Sequence, residues 1–361
     1  MSLFASSSRT STARIACLVV MATTLVLAQG SPTVAPEGSL VQKVWHLGRV
    51  TGDLHRIVDF YHDVIGLNLR GARSPIPFYS VAAINEFVNA PAHAEFRAAF
   101  LPIQGTSAAT VAADQIYLEA FEYRNIDRRQ MLPPLTAAGA SSLRLLVRDL
   151  NAVVAKAKAA NVSVLTAGGE AVAVPAPSGM MGTARALMLR DPDGYPVELM
   201  ELSPQPPTFA PAESPVLGAH MVVVVDDLTA SLEFYRRLVG TELQASAPSA
   251  WQTSAAVSRL RAIPDLSSRS ASIRLPGSAI ALELVEYRDA PASSYRPVFQ
   301  DIGHGHVAFI VKDIQETVQR MKAAGATSIS KAGTWTQINP TTRAVYTRDP
   351  DGFFLEILER R

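Results

Sequence analysis

The feature that most limits what this 361-residue chain can become is that it repeats itself. Phe60-Tyr61-His62-Asp63-Val64-Ile65-Gly66-Leu67 returns as Phe234-Tyr235-Arg236-Arg237-Leu238-Val239-Gly240-Thr241. Leu118-Glu119-Ala120-Phe121-Glu122-Tyr123-Arg124 returns as Leu282-Glu283-Leu284-Val285-Glu286-Tyr287-Arg288. Leu189-Arg190-Asp191-Pro192-Asp193-Gly194 returns as Thr347-Arg348-Asp349-Pro350-Asp351-Gly352. Repetition at this scale means one design used again rather than one large core. Residues 43–203 and 216–361 are the two copies, joined by a Pro-rich linker at 204–215.

Each copy divides once more. Four segments, Trp45–Asp53, Ser142–Asp149, His220–Asp227 and His306–Asp313, read as apolar strands ending in an Asp-containing turn. Helical spacing follows: Leu54, Ile57, Val58 and Tyr61 in the first, Leu228, Leu232 and Tyr235 in the third, Ile314, Val318 and Met321 in the fourth. Each Asp stands where a helix N-cap belongs, and Gly325 where a C-cap belongs. Further strands follow, bounded by Gly, Pro and Ser. The predicted unit is strand–helix–strand–strand–strand, used four times, which makes the fold class α+β.

Hydrophobic residues make up 48% of the chain, enough to build packed cores. With 33 Lys and Arg against 32 Asp and Glu, the net charge is +1, which argues against nucleic acid or an anionic membrane as partner. Arg9 and Arg14 precede an apolar run from Ile15 to Ala28, and Val26-Leu27-Ala28 offers a small-x-small exit. Residues 1–28 therefore read as a signal peptide and 29–42 as a flexible leader, giving a secreted or periplasmic protein free of the membrane once cleaved. The single cysteine, Cys17, falls inside that segment, so a mature chain would hold any metal through His and carboxylate alone.

Asp-Pro-Asp-Gly followed by an apolar-Glu-apolar strand resembles the terminal hairpin of the vicinal oxygen chelate superfamily, the glyoxalase/bleomycin-resistance/dioxygenase type. Gly305-His306-Val307-Ala308-Phe309-Ile310-Val311-Lys312-Asp313-Ile314 resembles the opening strand of that family's second βαβββ module. The resemblance spans nearly the whole chain after the leader. It implies paired modules whose sheets curl around a metal-binding cleft, and a small-molecule substrate.

Family ligands lie on the first and last strands of each module. His46, His220 and His306 each stand seven residues before a turn Asp, where the second module has Ser142. The last-strand positions are Glu119, Glu198, Glu283 and Glu356. If each repeat closes its own cleft, the complete metal set is His220, Glu283, His306 and Glu356, and Ser142 spoils the other. If modules exchange between repeats, the complete set becomes His46, Glu119, His306 and Glu356. The long Pro-rich linker favours the first arrangement. Strand alternation puts Glu283 on a face with Ala281 and Val285, and Glu356 with Phe354 and Leu358, where an unpaired carboxylate is costly. Two imidazoles and two carboxylates suit one divalent ion, Ni, Co, Mn, Fe or Zn.

The resemblance implies a glyoxalase-like lyase or isomerase, with Glu356 or Glu283 loosening to act as general base. An extradiol dioxygenase would need only His220, His306 and Glu356. Val345 to Gly352 resembles that signature, but Thr336-Gln337-Ile338-Asn339 lacks its upstream histidine. A non-catalytic binding protein of the bleomycin-resistance kind is a third possibility, and either a monomer or a homodimer is compatible. His55 and His62 fall on a solvated helix face, His93 in a loop and His304 in a turn. Trp251, Trp335, Tyr79 and Tyr346 are cleft-lining candidates that strands more often bury in a core.

Overall fold

The computed structural model describes residues 39–361 except 72, 74–75, 104–115, 178–179, 207–212, 241–244, 276–279, 289 and 291–294. The expected signal peptide, Cys17, most of the leader and part of the linker lie outside these residues. No helix among the described residues is long and apolar enough to cross a membrane.

The four modules are all present. The first runs β1 (Val41–Thr51), α1 (Leu54–Asp59, continued through Phe60–Val64 as a wider turn), α2 (Ala82–Phe87), β2 (Glu95–Pro102) and β3 (Tyr117–Arg124). The second is β4 (Ser141–Val147), α3 (Leu150–Ala159), β5 (Val172–Pro175), β6 (Thr183–Arg190) and β7 (Pro196–Ser203). The third is β8 (Val216–Val225), α4 (Leu228–Val239), β9 (Gln252–Thr253), α5 (Ala255–Arg261), β10 (Ser267–Arg274) and β11 (Ala281–Tyr287). The fourth is β12 (Gly305–Val311), α6 (Ile314–Ala323), β13 (Thr327–Ser328), β14 (Thr336–Asn339), β15 (Thr342–Arg348) and β16 (Phe354–Arg360).

Local chemistry is the same in all four. Asp53, Asp149, Asp227 and Asp313 each cap a helix by accepting a backbone N–H of its first turn. A second carboxylate completes each cap from the module's last strand. Glu122, Glu201, Glu286 and Glu359 accept the N–H of Leu54, Leu150, Leu228 and Ile314. Each stands three residues after a ligand-position Glu, so odd spacing turns one carboxylate to the helix and the other to the cleft. Gly325 follows the C-cap Ala324 at φ +98°, the left-handed conformation that ends α6 without a Cβ penalty.

The modules do not pair within the repeats. One eight-stranded sheet joins the first and fourth modules through antiparallel β1 and β12. The other joins the second and third through antiparallel β4 and β8. In each module the first strand also pairs in parallel with the last. The connectors at 125–140 and 288–304 carry the chain between sheets, and segments of that length reach up to about 50 Å.

The main core lies between the sheets, where α1, α3, α4 and α6 bury Leu54, Val153, Leu232 and Val318. The Asp-Pro-Asp-Gly turns fasten one sheet to the other. Asp191, from the second sheet, accepts Arg49 Nη2 at 2.5 Å and the Tyr61 hydroxyl at 3.2 Å from the first. Reciprocally, Asp349 accepts the Tyr235 hydroxyl at 3.0 Å, and Asp351 accepts Ser231 Oγ at 2.7 Å. Each sheet's opposite face forms a cleft.

Candidate metal centre

Period-two alternation along β1 sends His46, Gly48 and Val50 to the cleft and Leu47 and Arg49 to the inter-sheet core. On β12 it turns His306 and Ala308 to the same cleft, and β3 and β16 bring Glu119 and Glu356 beside them. All four ligand candidates are buried, and one donor atom from each lies within 4.8 Å of the others. His46 Nε2 stands 3.0 Å from Glu119 Oε2, 2.9 Å from Glu356 Oε2 and 3.1 Å from His306 Nε2. His306 Nε2 stands 3.5 Å from Glu356 Oε2.

These separations are those of donors sharing one ion. Ligands held at about 2.1 Å from a metal sit about 3.0 Å apart at right angles and about 3.4 Å apart at tetrahedral angles. Two imidazole nitrogens and two carboxylates form a donor set suited to a divalent cation. The residues present therefore fit such an ion.

Electrostatics of the bare cluster point the same way. Burial pushes His306 down to about 4, which leaves its lone pair free at neutral pH. Burial also opposes protonation of His46, but Glu119 and Glu356 outweigh it and raise that group. Burial raises Glu119 to about 7. For Glu356, burial is outweighed by His46 and His306, which hold it below the usual carboxylate range. The Tyr346 hydroxyl on β15 donates to Glu356 Oε2 at 2.8 Å and lies 2.9 Å from His306 Nε2.

Glu119 and Glu356 of the cluster line a cavity of about 190 Å³. Its walls include Trp45, Phe87, Phe121, Phe299 and Ile338. Tyr346 thus lines a cleft, whereas Trp335 packs against the main core.

The structure does not bring together His220, Glu283, His306 and Glu356. His306 and Glu356 meet His46 and Glu119 in the first sheet; His220 and Glu283 lie in the second. The linker argument failed because the connectors between modules, not the linker, decide which halves meet.

The second cleft holds an arginine at its centre. Arg144 on β4 donates through Nε to Glu198 Oε1 at 2.8 Å and through Nη1 to Glu283. Its guanidinium supplies the positive charge between two carboxylates that a metal would supply in the first cleft. Burial, then Arg144, drives His220 down to about 3. Glu283 is therefore bound by a neighbouring side chain rather than free to move a proton.

Gly48 is one residue that sequence reasoning missed. It faces His306 across β1 and β12, and a Cβ there would lie 1.8 Å from His306 Cε1. In the second sheet, Ser142 faces Val222 at the corresponding pair. A large residue opposite a small one fills each position, and that complementarity was a readable signal of which modules pair. The other histidines serve elsewhere. His304 is buried with Nε2 2.7 Å from Phe299 O, and His62 Nδ1 lies 2.7 Å from Leu67 O.

A family model, Glyoxalase/Bleomycin resistance protein/Dioxygenase superfamily, matches residues 43–199 and 219–357. No curated protein sequence matches the chain. Among solved structures, a glyoxalase I variant from Zea mays aligns with a TM-score of 0.53 at 17% identity, over 88% of this chain and 92% of that one. A putative dioxygenase from Bacillus subtilis aligns with a TM-score of 0.50 at 12% identity, over 89% and 86%. At such identities the likeness is one of fold. With both repeats matched and four modules curled into two clefts, the chain belongs to the Glyoxalase/Bleomycin resistance protein/Dioxygenase superfamily.

Proposed function

We propose that the protein is a metal-dependent enzyme of the glyoxalase kind, a lyase or isomerase whose one centre is His46, Glu119, His306 and Glu356. The carrying observation is the convergence of these four buried side chains, from four strands, beside an apolar-walled cavity that Glu119 and Glu356 line. Its substrate is a small molecule with two neighbouring oxygens and a compact apolar group. A bound divalent ion would supply Lewis acidity to those oxygens.

The protein's own groups divide the remaining work. His46 and His306 present Nε2 lone pairs. Glu356 is tethered by His46 and by the Tyr346 hydroxyl, which suits a fixed ligand. Glu119 touches only His46 within this cluster, so it is the carboxylate free to swing. In this reading Glu119 takes a proton from the carbon beside the substrate carbonyl and returns it to the neighbouring carbon. Trp45, Phe121 and Phe299 keep water from the reacting carbon. The leader read from the N-terminus would place this chemistry outside the cytosol and argues against glutathione as co-substrate.

The test reloads chelator-stripped protein with Ni, Co, Mn, Fe or Zn and assays methylglyoxal hemithioacetals of several thiols. Turnover should require metal, and Glu119→Gln should retain the ion while losing about 100-fold or more in kcat. Equal turnover without metal would overturn the proposal. A ring-cleaving dioxygenase is the second reading. It is favoured by Glu119 touching only His46 within the cluster, which leaves His46, His306 and Glu356 as a three-ligand set. Oxygen uptake with catechols and Fe²⁺ would select it.

A further inference from the structure

The second cleft encloses a cavity of about 240 Å³, and Arg261, a charged group in its lining, makes no side-chain hydrogen bond. Arg261 ends α5, is only 6% exposed and lines the cavity. Its guanidinium stands 5.5 Å from the Tyr287 ring centroid, and Glu198 Oε2 lies 4.0 Å away, beyond hydrogen-bonding reach. A guanidinium carries five donors, and those of Arg261 are not sealed off within the protein but accessible where it lines the cavity. The two nearby carboxylates are already taken, since Arg144 bonds both Glu198 and Glu283.

The surrounding hydroxyls are donors as well. Ser249 Oγ accepts the N–H of Ser270, and Ser254 Oγ accepts the N–H of Val257. Both serines line the cavity, and each keeps an O–H to give. The apolar part of the lining is formed by Met200, Val257, Leu260 and Val285, two of them on α5 beside these donors.

We infer that this cleft is a second, metal-independent binding site for a small carboxylate with a compact apolar body. Its carboxylate is held by the Arg261 fork and the two serine hydroxyls. Arg144 and Arg261 balance Glu198 and Glu283, and Arg269 in the same lining is paired with Glu286, so the cleft carries no excess charge. Recognition is therefore by short-range donors, and affinity depends only weakly on salt.

The test titrates the full chain with benzoate and with benzamide, its neutral analogue, by calorimetry. Benzoate should bind saturably and at least about tenfold more tightly than benzamide. Arg261→Gln should abolish that preference with the melting temperature kept, and Arg261→Lys should retain part of it. Should Arg261→Gln fail to fold, Arg261→Lys alone decides, because a single ammonium cannot reproduce the fork. His306→Ala should leave benzoate binding unchanged. Equal binding of the two probes, no benzoate binding, an Arg261 variant that binds as the parent does, or loss in His306→Ala would each overturn the inference.

Discussion

Gly48→Ala adds one methyl group and touches no proposed ligand chemically, yet it should dismantle the proposed metal centre. The new Cβ would lie 1.8 Å from Cε1, 2.1 Å from Nε2 and 2.5 Å from Nδ1 of His306. Ordinary carbon contacts fall at about 3.5–4.0 Å, so the ring must retreat by about 1.5 Å or more. Metal–ligand distances tolerate about 0.2 Å, so His306 leaves the donor set. Disturbing even an outer partner of a ligand costs about 10–100-fold in affinity, and losing a ligand should cost about 100-fold or more, about 2.7 kcal/mol. Crowding of the strand pair adds about 1–3 kcal/mol of destabilisation. Calorimetric titration of stripped protein with Co²⁺, paired with thermal melts, measures both. Gly218→Ala is the control, since its Cβ would meet only Leu146 Cδ1 at an ordinary 3.8 Å. Unchanged Co²⁺ affinity in folded Gly48→Ala would refute the assignment of His306 as ligand.

Two further substitutions probe the second cleft and the turns. Arg144→Met should destabilise the fold by about 3–5 kcal/mol in urea melts, because Glu198 and Glu283 lose their buried cation, while metal content stays unchanged. A loss below about 1 kcal/mol would contradict that role. Asp349 is raised by burial, and next by Asp351, to about 7 from 3.8. Its folded-state value is the higher one, so its contribution is complete below the unfolded value and is lost as pH rises through 7. The span of about 3 pH units corresponds to about 4 kcal/mol at most. Urea melts across that window should show stability falling as pH rises, and Asp349→Asn should flatten the fall; an equal slope in both proteins would contradict the burial argument.

The fold was legible because its signals are local. Asp53, Asp149, Asp227 and Asp313 announce helix starts by side-chain chemistry that needs no distant partner. The positions of the clustered side chains were legible too, the histidines by their distance to the turn Asp and the glutamates by their place on each last strand. The partnership of modules was not, because it depends on contacts between residues far apart in the chain. The linker suggested the wrong pairing of modules, whereas Gly48 opposite His306, and Val222 opposite Ser142, recorded the observed pairing as a size match across strands. Arg144 was missed for a similar reason. Its place between Glu198 and Glu283 requires knowing that β4 lies between β7 and β8. The turn aspartates likewise differ by their surroundings. Asp191 meets Arg49, whereas Val223 stands at the corresponding place, three residues after His220, in the half that faces Asp349.

Metal content per chain in His46→Ala and His220→Ala, measured by atomic spectrometry after reloading with Co²⁺, addresses the centre's composition most directly. Because His46 lies in the four-donor cluster and His220 in the arginine-filled cleft, His220→Ala should keep its ion and His46→Ala should lose it. Retention in His46→Ala together with loss in His220→Ala would contradict the account.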